Sequence, residues 1–322
     1  MIQEGLLFIL GVVGLWLGAG ITINGAVAIA RKLKISNLFI GLTVLSIGTS
    51  LPEIFTHVAS SIKILNGVDA SGVAIGTNVG SNIIQITLIL GLIAMFATIK
   101  SSKEILKRDG LVMLSSIALL WIFGLNGTIS QLEGMILAII YVTYLILITR
   151  KEKTIKELIR PHHKKLGKRK KHYIGLDVGN VFAGIVILAF ASHWVVENTL
   201  FFAKTFGIEQ TFLGLVVIGI STALPELTTA IRGIIKGAKS MSLGVLIGSN
   251  ITNPLLALGL GAAISGYTVS RSLQWFDIPF WFGISTLALL FFRNNNKLEK
   301  HEAAVLVFAY FAYIIYKIFT VI

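Results

Sequence analysis

Residues 40–53 read I-G-L-T-V-L-S-I-G-T-S-L-P-E, and residues 213–226 read L-G-L-V-V-I-G-I-S-T-A-L-P-E. Each stretch is followed by a second, shorter match, A-I-G-T-N-V-G-S-N-I at 74–83 and V-L-I-G-S-N-I at 245–251. The glutamates that close the first motif, Glu53 and Glu226, stand 173 positions apart. The serines of the second motif, Ser81 and Ser249, stand 168 apart, so the later copy has the shorter connecting loop. A chain that carries one pattern twice is built from two copies of one unit, and the rest of the sequence is read on that basis.

The material around the motifs is apolar. Of 322 residues 55% are hydrophobic and 13% are charged, about half the ~25% charged residues of a soluble domain. The chain has no cysteine, which removes disulfide scaffolds, thiolate metal sites and cysteine nucleophiles together. A membrane-spanning helix needs about 20 largely apolar residues. On that measure the sequence predicts ten spans, near 5–30, 37–62, 71–98, 110–125, 130–149, 177–203, 210–235, 241–266, 277–292 and 302–320. The fourth and fifth share one apolar run that Gly124, Asn126 and Gly127 split by a turn signal. The expected fold is an all-α integral membrane protein of ten transmembrane helices.

Charge sets the orientation, because Lys and Arg beside spans stay in the cytoplasm. With the N-terminus outside, 24 of the 28 basic residues fall on the cytoplasmic side, and Lys63, Lys204, Arg271 and Lys317 fall outside. Both termini are then external, and the run from Arg150 to Lys171 becomes a cytoplasmic loop. The formal charge of +13 is therefore a topology signal and not a nucleic-acid surface; attraction to anionic lipid headgroups is its secondary role. The first residues lack the positive n-region and cleavage site of a secretory signal peptide. The expected organisation is a first five-helix repeat over 1–149 (motif region 38–98), a basic loop over 150–173, and a second five-helix repeat over 174–322 (motif region 211–266). Five is odd, so the second block enters the membrane upside down. Such inverted-topology repeats place a substrate site at mid-membrane where discontinuous helices meet, which is a transporter architecture.

The repeated residues specify a chemistry. An acid at the bilayer centre costs about 2.5–3.5 kcal/mol even on the lenient insertion scale, so paired mid-span acids mark function. Around Glu53 and Glu226 the sequence supplies hard oxygen: Thr49, Ser50, Ser221 and Thr222 on the same spans, with Ser81, Asn82, Ser249, Asn250 and Asn253 on the partner spans. Carboxylate, hydroxyl and carbonyl suit alkali and alkaline-earth cations. Pro52, Pro225 and Pro254 lack an N–H and are expected to leave the carbonyls of Gly48, Ser221 and Asn250 free toward a cation path. Gly72, Gly76 and Gly80, like Gly244 and Gly248, recur every four residues and give each span a small face for close helix contact. His57, one turn beyond Glu53, and His193, read as buried in the sixth span, are taken as packed residues, with His57 the candidate for proton sensitivity.

These motifs, G-T-S-L-P-E at 48–53, S-T-A-L-P-E at 221–226 and the G-S-N segments at 80–82 and 248–250, resemble the alpha repeats of the calcium/cation antiporter superfamily, most closely the sodium/calcium exchangers. The resemblance covers essentially the whole chain. It implies that Glu53 and Glu226 are the paired carboxylates and that ligands fall on Ser46, Thr49, Ser50, Ser81, Gly219, Thr222 and Ser249. Gln85 and Asn253 fill the matching amide positions. It further implies a central calcium site flanked by sodium sites, and alternating access by sliding of the first and sixth helices. Ala223 replaces a serine expected beside Thr222, Gln85 stands where asparagine is usual, and Asn253 stands where some members carry aspartate. The missing aspartate argues against a potassium-dependent exchanger, and the G-N-A-x-E pattern of vacuolar proton/calcium exchangers is not found.

The expected function is thus a secondary antiporter exchanging Na+ for Ca2+ in the cell membrane, not an enzyme. It needs no cofactor beyond the transported ions and no partner beyond the lipid bilayer, and it does not require an oligomer. Proton- or potassium-dependent Ca2+ exchange uses the same glutamates and stays open, with H+ as a further coupling ion. A cation channel and an intramembrane hydrolase are the readings from other classes. The hydrolase lacks a base beside any candidate serine, and the doubled motif has no use in it.

Overall fold

The computed structural model describes residues 1–32, 45–101, 103–158, 174–235, 239–293 and 296–321. Among them, nine helices are long and apolar enough to cross a membrane, and they fall on nine of the ten expected spans. The remaining one, second in order, is seen as Ser46–Thr49 followed by Leu51–Leu65. Its start at 37–44, and the basic loop from 159 to 173, lie outside the described residues.

Several helices run past their expected ends. The first begins at Ile2, the fourth at Lys103 and the sixth at Ile174, while the fifth continues to Leu158. Counting apolar residues finds the hydrocarbon crossing, but a helix can keep its own hydrogen bonds for further turns beyond it. The turn between the fourth and fifth spans is where the sequence puts it. A 3-10 turn at Gly124–Asn126 ends on Gly127 at φ 84°, a left-handed conformation that glycine adopts without strain. Ser130 and Glu133 then form a reciprocal capping box that starts the fifth span.

The two repeats interlock. Ile99–Lys100, after the third span, pairs antiparallel with Lys297–Leu298, before the tenth. Thr128–Ile129, between the fourth and fifth spans, pairs with Tyr267–Thr268, after the eighth. Each two-residue ribbon thus joins one repeat to the other. Because the spans alternate direction, the two ribbons sit at opposite ends of the bundle. The second span packs on the eighth, where a Cβ on Gly248 would lie 2.7 Å from Ser46 Oγ. The seventh packs on the third, where a Cβ on Gly219 would lie 2.9 Å from the backbone of Gly80 and Ser81, and a Cβ on Gly80 would overlap the Leu215 carbonyl. The small faces therefore place the motif helices of one repeat against those of the other.

The first and sixth spans pack along each other, with Gly14 against Ala191 and Gly18 against Gly184 and Leu188. Lys32 and Asp177 close one end of this pair with a salt bridge. Toward the other end Lys63, after the second span, meets Glu197 of the sixth at 3.3 Å.

Two placements differ from expectation. His193 is not buried: its side chain is 52% exposed and pairs with Glu197 one turn on at 2.9 Å. The sixth span turns only one stripe toward the first, and His193 falls off that stripe. Lys317, counted on the outer side, is not solvated either. Its side chain is 1% exposed, and its Nζ lies 3.1 Å from Asp277, itself fully buried. A lone lysine in an apolar run looks like a boundary in one dimension; the partner that lets it be buried comes from the ninth span.

Candidate cation site

The second and seventh spans are broken at the same point of the repeat. In the second, Ser50 (φ −81°, ψ 3°) separates Ser46–Thr49 from Leu51–Leu65. In the seventh, Ala223 (φ −76°, ψ −4°) separates Gly219–Thr222 from Leu224–Ile235. Pro52 and Pro225 follow two residues later, and their missing N–H is the cause. The carbonyls of Gly48 and Ser221 are not left free as expected, since the tightened turn gives each a backbone N–H. What the break achieves is to start a new helix one residue before each proline, so that Glu53 and Glu226 lie in a first helical turn, the favoured end for a carboxylate.

The third and eighth spans also share a defect. A π-helical segment begins at Gln85 in one and at Asn253 in the other, 168 residues apart like the serines. Each adds a residue to the turn and so re-aims the side chains on either side of it.

Between these four spans the structure gathers the candidate residues. Glu53, Glu226, Thr49, Ser50, Ser81, Gln85, Thr222, Ser249 and Asn253 are fully buried and Ser46 nearly so, while Gly219 supplies the close approach described above. Glu53 faces the hydroxyls of Thr222 and Ser81, and Glu226 faces those of Ser249 and Thr49. The two environments are related by the repeat, residue for residue, and each glutamate sits among side chains of both repeats. Thr49 Oγ1 and Ser249 Oγ lie 3.2 Å apart. Among the described residues none of the four carboxylate oxygens has a hydrogen-bond partner, and neither do Ser50 Oγ and Asn253 Oδ1. A buried carboxylate with no partner is costly by several kcal/mol. Two such carboxylates amid hydroxyl oxygens and an unpaired amide oxygen have the chemistry that suits a hard cation.

The amides form a second symmetric layer. Asn253 Nδ2 donates to Asn82 Oδ1 at 3.2 Å, and Asn250 Nδ2 donates to Gln85 Oε1 at 2.9 Å. Asn82 and Asn250, and likewise Gln85 and Asn253, are repeat mates, so this is one cross-repeat contact made twice. The oxygens of Asn82 and Gln85, expected as ligands, each accept one of these bonds, because two buried amides in contact must pair donor with acceptor, and the oxygen of Asn250 accepts from Trp281. Ser221 is absent from the cluster; its hydroxyl turns back to the Val217 carbonyl at 2.7 Å. His57 is packed as expected, its ring nitrogens within 3.0 Å of Tyr267 OH and 3.2 Å of Asn78 Nδ2.

Other contributors are invisible in the motifs. Trp281, on the ninth span, donates to Asn250 Oδ1 at 3.0 Å. Thr252 joins Ser46 Oγ at 3.0 Å to Tyr141 OH at 3.1 Å. A second acidic pair flanks the centre. Asp109 accepts from Tyr144 OH at 2.9 Å and from Arg108, and Asp277 accepts from Tyr313 OH at 2.8 Å and from Lys317. The aspartates are 168 residues apart, the offset of the serines, which is the signal that marks them as repeat mates.

A family model described as sodium/calcium exchanger protein matches residues 4–150 and 177–319. The chain is 31% identical to the sodium/calcium exchanger MaX1 of Methanosarcina acetivorans, over 96% of this chain and 97% of that protein. It is 34% identical to the inner membrane protein YrbG of Escherichia coli, over 82% and 81%. Among solved structures, the sodium-calcium exchanger NCX_Mj soaked with Na+ and Sr2+ superposes with a TM-score of 0.66 at 27% identity, covering 98% of both chains.

Proposed function

The chain belongs to the sodium/calcium exchanger protein family, and on that premise we propose that it is a secondary antiporter exchanging Na+ for Ca2+ across the membrane. The observation that carries the proposal is the pair of buried carboxylates, Glu53 and Glu226, whose four oxygens have no hydrogen-bond partner among the described residues. Their joint charge of −2 matches one Ca2+ or two Na+. Ligands drawn from both repeats compete for either load, so occupancy by one ion excludes the other.

In this reading Ca2+ lies between the two glutamates, with Thr49, Ser50, Ser81, Thr222, Ser249 and Asn253 as neutral oxygens. Ca2+ takes six to eight oxygens in irregular geometry, which a cluster assembled from two broken spans and two π-bulged ones can supply. Ser46 and Gly219 mark the two rims of the cluster. Access alternates as the first and sixth spans, packed on each other through small residues, shift against the other spans. The N-terminus, the C-terminus and Lys63 are outside, the basic stretch after the fifth span's end at Leu158 is cytoplasmic, and the repeats divide there.

Reconstituted proteoliposomes test this. Uptake of radioactive Ca2+ is expected to require trans Na+, and Glu53→Gln or Glu226→Gln is expected to lower it by about two orders of magnitude or more. Full uptake in both variants overturns the assignment. Uptake driven as well by a proton or K+ gradient in Na+-free vesicles replaces the coupling ion.

A further inference from the structure

Asn253 is held through both its main chain and its side chain by asparagines of the third span. Asn78 Nδ2 donates to the main-chain carbonyl of Asn253 at 2.7 Å, and Asn82 Oδ1 accepts from Asn253 Nδ2 at 3.2 Å. Asn82 is tied back in turn, its Nδ2 donating to the Asn78 carbonyl at 2.7 Å and to Asn78 Oδ1 at 3.3 Å. What remains of the Asn253 side chain is Oδ1, buried and without a partner among the described residues.

Groups of fixed polarity decide the rest of the cluster. A carbonyl only accepts, so the Asn253 carbonyl fixes the Asn78 amide with its NH2 on that side. The same NH2 lies 3.2 Å from His57 Nε2, which must therefore carry the lone pair, and the imidazole proton sits on Nδ1. Nδ1 donates to Tyr267 OH at 3.0 Å, Tyr267 OH to Ser61 Oγ at 3.1 Å, and Ser61 Oγ to the Gly261 carbonyl at 2.8 Å. Gly261 is what admits the phenol, since a Cβ there would overlap Tyr267 OH. Each donor meets an acceptor, all these side chains are buried, and a satisfied buried network specifies one rigid arrangement.

The other repeat has no equivalent. The mates of His57, Ser61, Asn78 and Tyr267 are Ala230, Ile234, Leu246 and Ile99, whose side chains carry no polar atom. Gln85, the mate of Asn253, is met through its side chain by Asn250, but a leucine at 246 cannot clamp its main chain. Two amides at equivalent places thus differ in how firmly they are held.

We propose that His57 and Asn78 are positioning residues of the ion centre: they hold the Asn253 main chain, and with it the free amide oxygen, in place before an ion arrives. The proposal rests on reading this centre as the cation site with Asn253 as a ligand. A ligand ordered in advance loses less freedom on binding, so the ion gains affinity through atoms that never touch it.

Ca2+ affinity of the purified full-length chain, measured by calorimetry, tests this. Asn78→Leu gives the first repeat the residue of the second, and is expected to weaken Ca2+ binding by about three- to tenfold. The loss is expected to vanish in an Asn253→Ala background, where no amide oxygen is left to position; equal losses in both backgrounds overturn the proposal. An Asn253→Ala chain that binds Ca2+ as tightly as the parent overturns it as well. His57 separates hydrogen bonding from packing. His57→Leu is expected to share the loss, whereas His57→Gln, which offers an acceptor toward Asn78 and a donor toward Tyr267, is expected to stay within about twofold of the parent. Equal losses in these two variants overturn the role of His57. Should Asn78→Leu not fold, His57→Leu carries the comparison between backgrounds. Glu53→Gln tests the reading beneath the proposal. If it leaves Ca2+ binding intact, the centre is not the cation site and both fall; if it abolishes binding while Asn78→Leu leaves it unchanged, only the positioning role falls.

Discussion

Ser46 and Gly219 hold the same place in the two repeats, and the halves of the centre diverge from there. Where the second span meets the eighth, hydroxyls line the contact: Ser46, Thr49, Ser50, Ser249 and Thr252, with Tyr141 behind them. Where the seventh meets the third, the equivalents of Ser46, Ser50 and Thr252 are Gly219, Ala223 and Ile84, leaving Thr222 and Ser81 as the hydroxyls. The cause is the closeness of the helices. Gly219 lies so near the backbone of Gly80 and Ser81 that no side chain fits, whereas the second span stands far enough from the eighth for Ser46 to place its hydroxyl against Gly248. The backbone follows the pseudo-twofold, with matched breaks and matched π segments, while the side chains do not. A shared backbone fixes where the glutamates stand, and the differences between halves set what each offers beside them.

The flanking aspartates give the largest expected break in that parallel. Asp277 and Lys317 are 0% and 1% exposed, whereas Asp109 pairs with an Arg108 that is 25% exposed. Asp277→Asn strands a buried ammonium, which costs about 3–5 kcal/mol of stability. Asp109→Asn leaves a guanidinium that can reach water, and its cost stays near the ~1 kcal/mol of a partly exposed pair. Thermal unfolding in detergent compares the two; equal losses contradict the burial argument. Glycine substitutions come next. Gly80→Ala presses a methyl onto the Leu215 carbonyl and is expected to cost about 1–3 kcal/mol, together with transport. Gly248→Ala meets the rotatable Ser46 hydroxyl and, less closely, the Ser46 Cβ at 3.2 Å, with no backbone atom in the way, and costs less in the same assay. The finest comparison is chemical. Ser50→Ala makes the first half resemble the second, and is expected to raise the Na+ concentration for half-maximal exchange by several-fold, about 1 kcal/mol. Ala223→Ser makes the reverse change and is expected to lower it; shifts of the same sign in both variants break the comparison.

Much of this was legible in one dimension. Spans can be counted from apolar runs because a bilayer crossing demands a fixed length of apolar helix. The glutamates stand out because acids are so scarce in such runs, and the doubled motif makes them a pair. Asp109 and Asp277 were equally legible, sharing the 168-residue offset with the serines, but each lies at the edge of an apolar run where an acid draws no notice. Trp281 was not legible: nothing in its own sequence neighbourhood says that its N–H meets an asparagine 31 positions away.

The sequence by itself determined that the chain crosses a membrane in two related blocks and that two glutamates stand at equivalent mid-span positions, because hydrophobic length, repeat spacing and scarce charge are properties of the chain order. Only the tertiary structure decided which oxygens remain for the ions. A side-chain amide carries a donor and an acceptor on one short plane, and its free end is chosen by whichever neighbour cannot change polarity. For Asn250 those neighbours are an indole from the ninth span and a carbonyl of its own helix; for Asn82 the deciding one is the carbonyl of Asn78. Residue identity alone made Gln85 and Asn253 look alike, and packing left the nitrogen Nε2 of one and the oxygen Oδ1 of the other unpaired among the described residues.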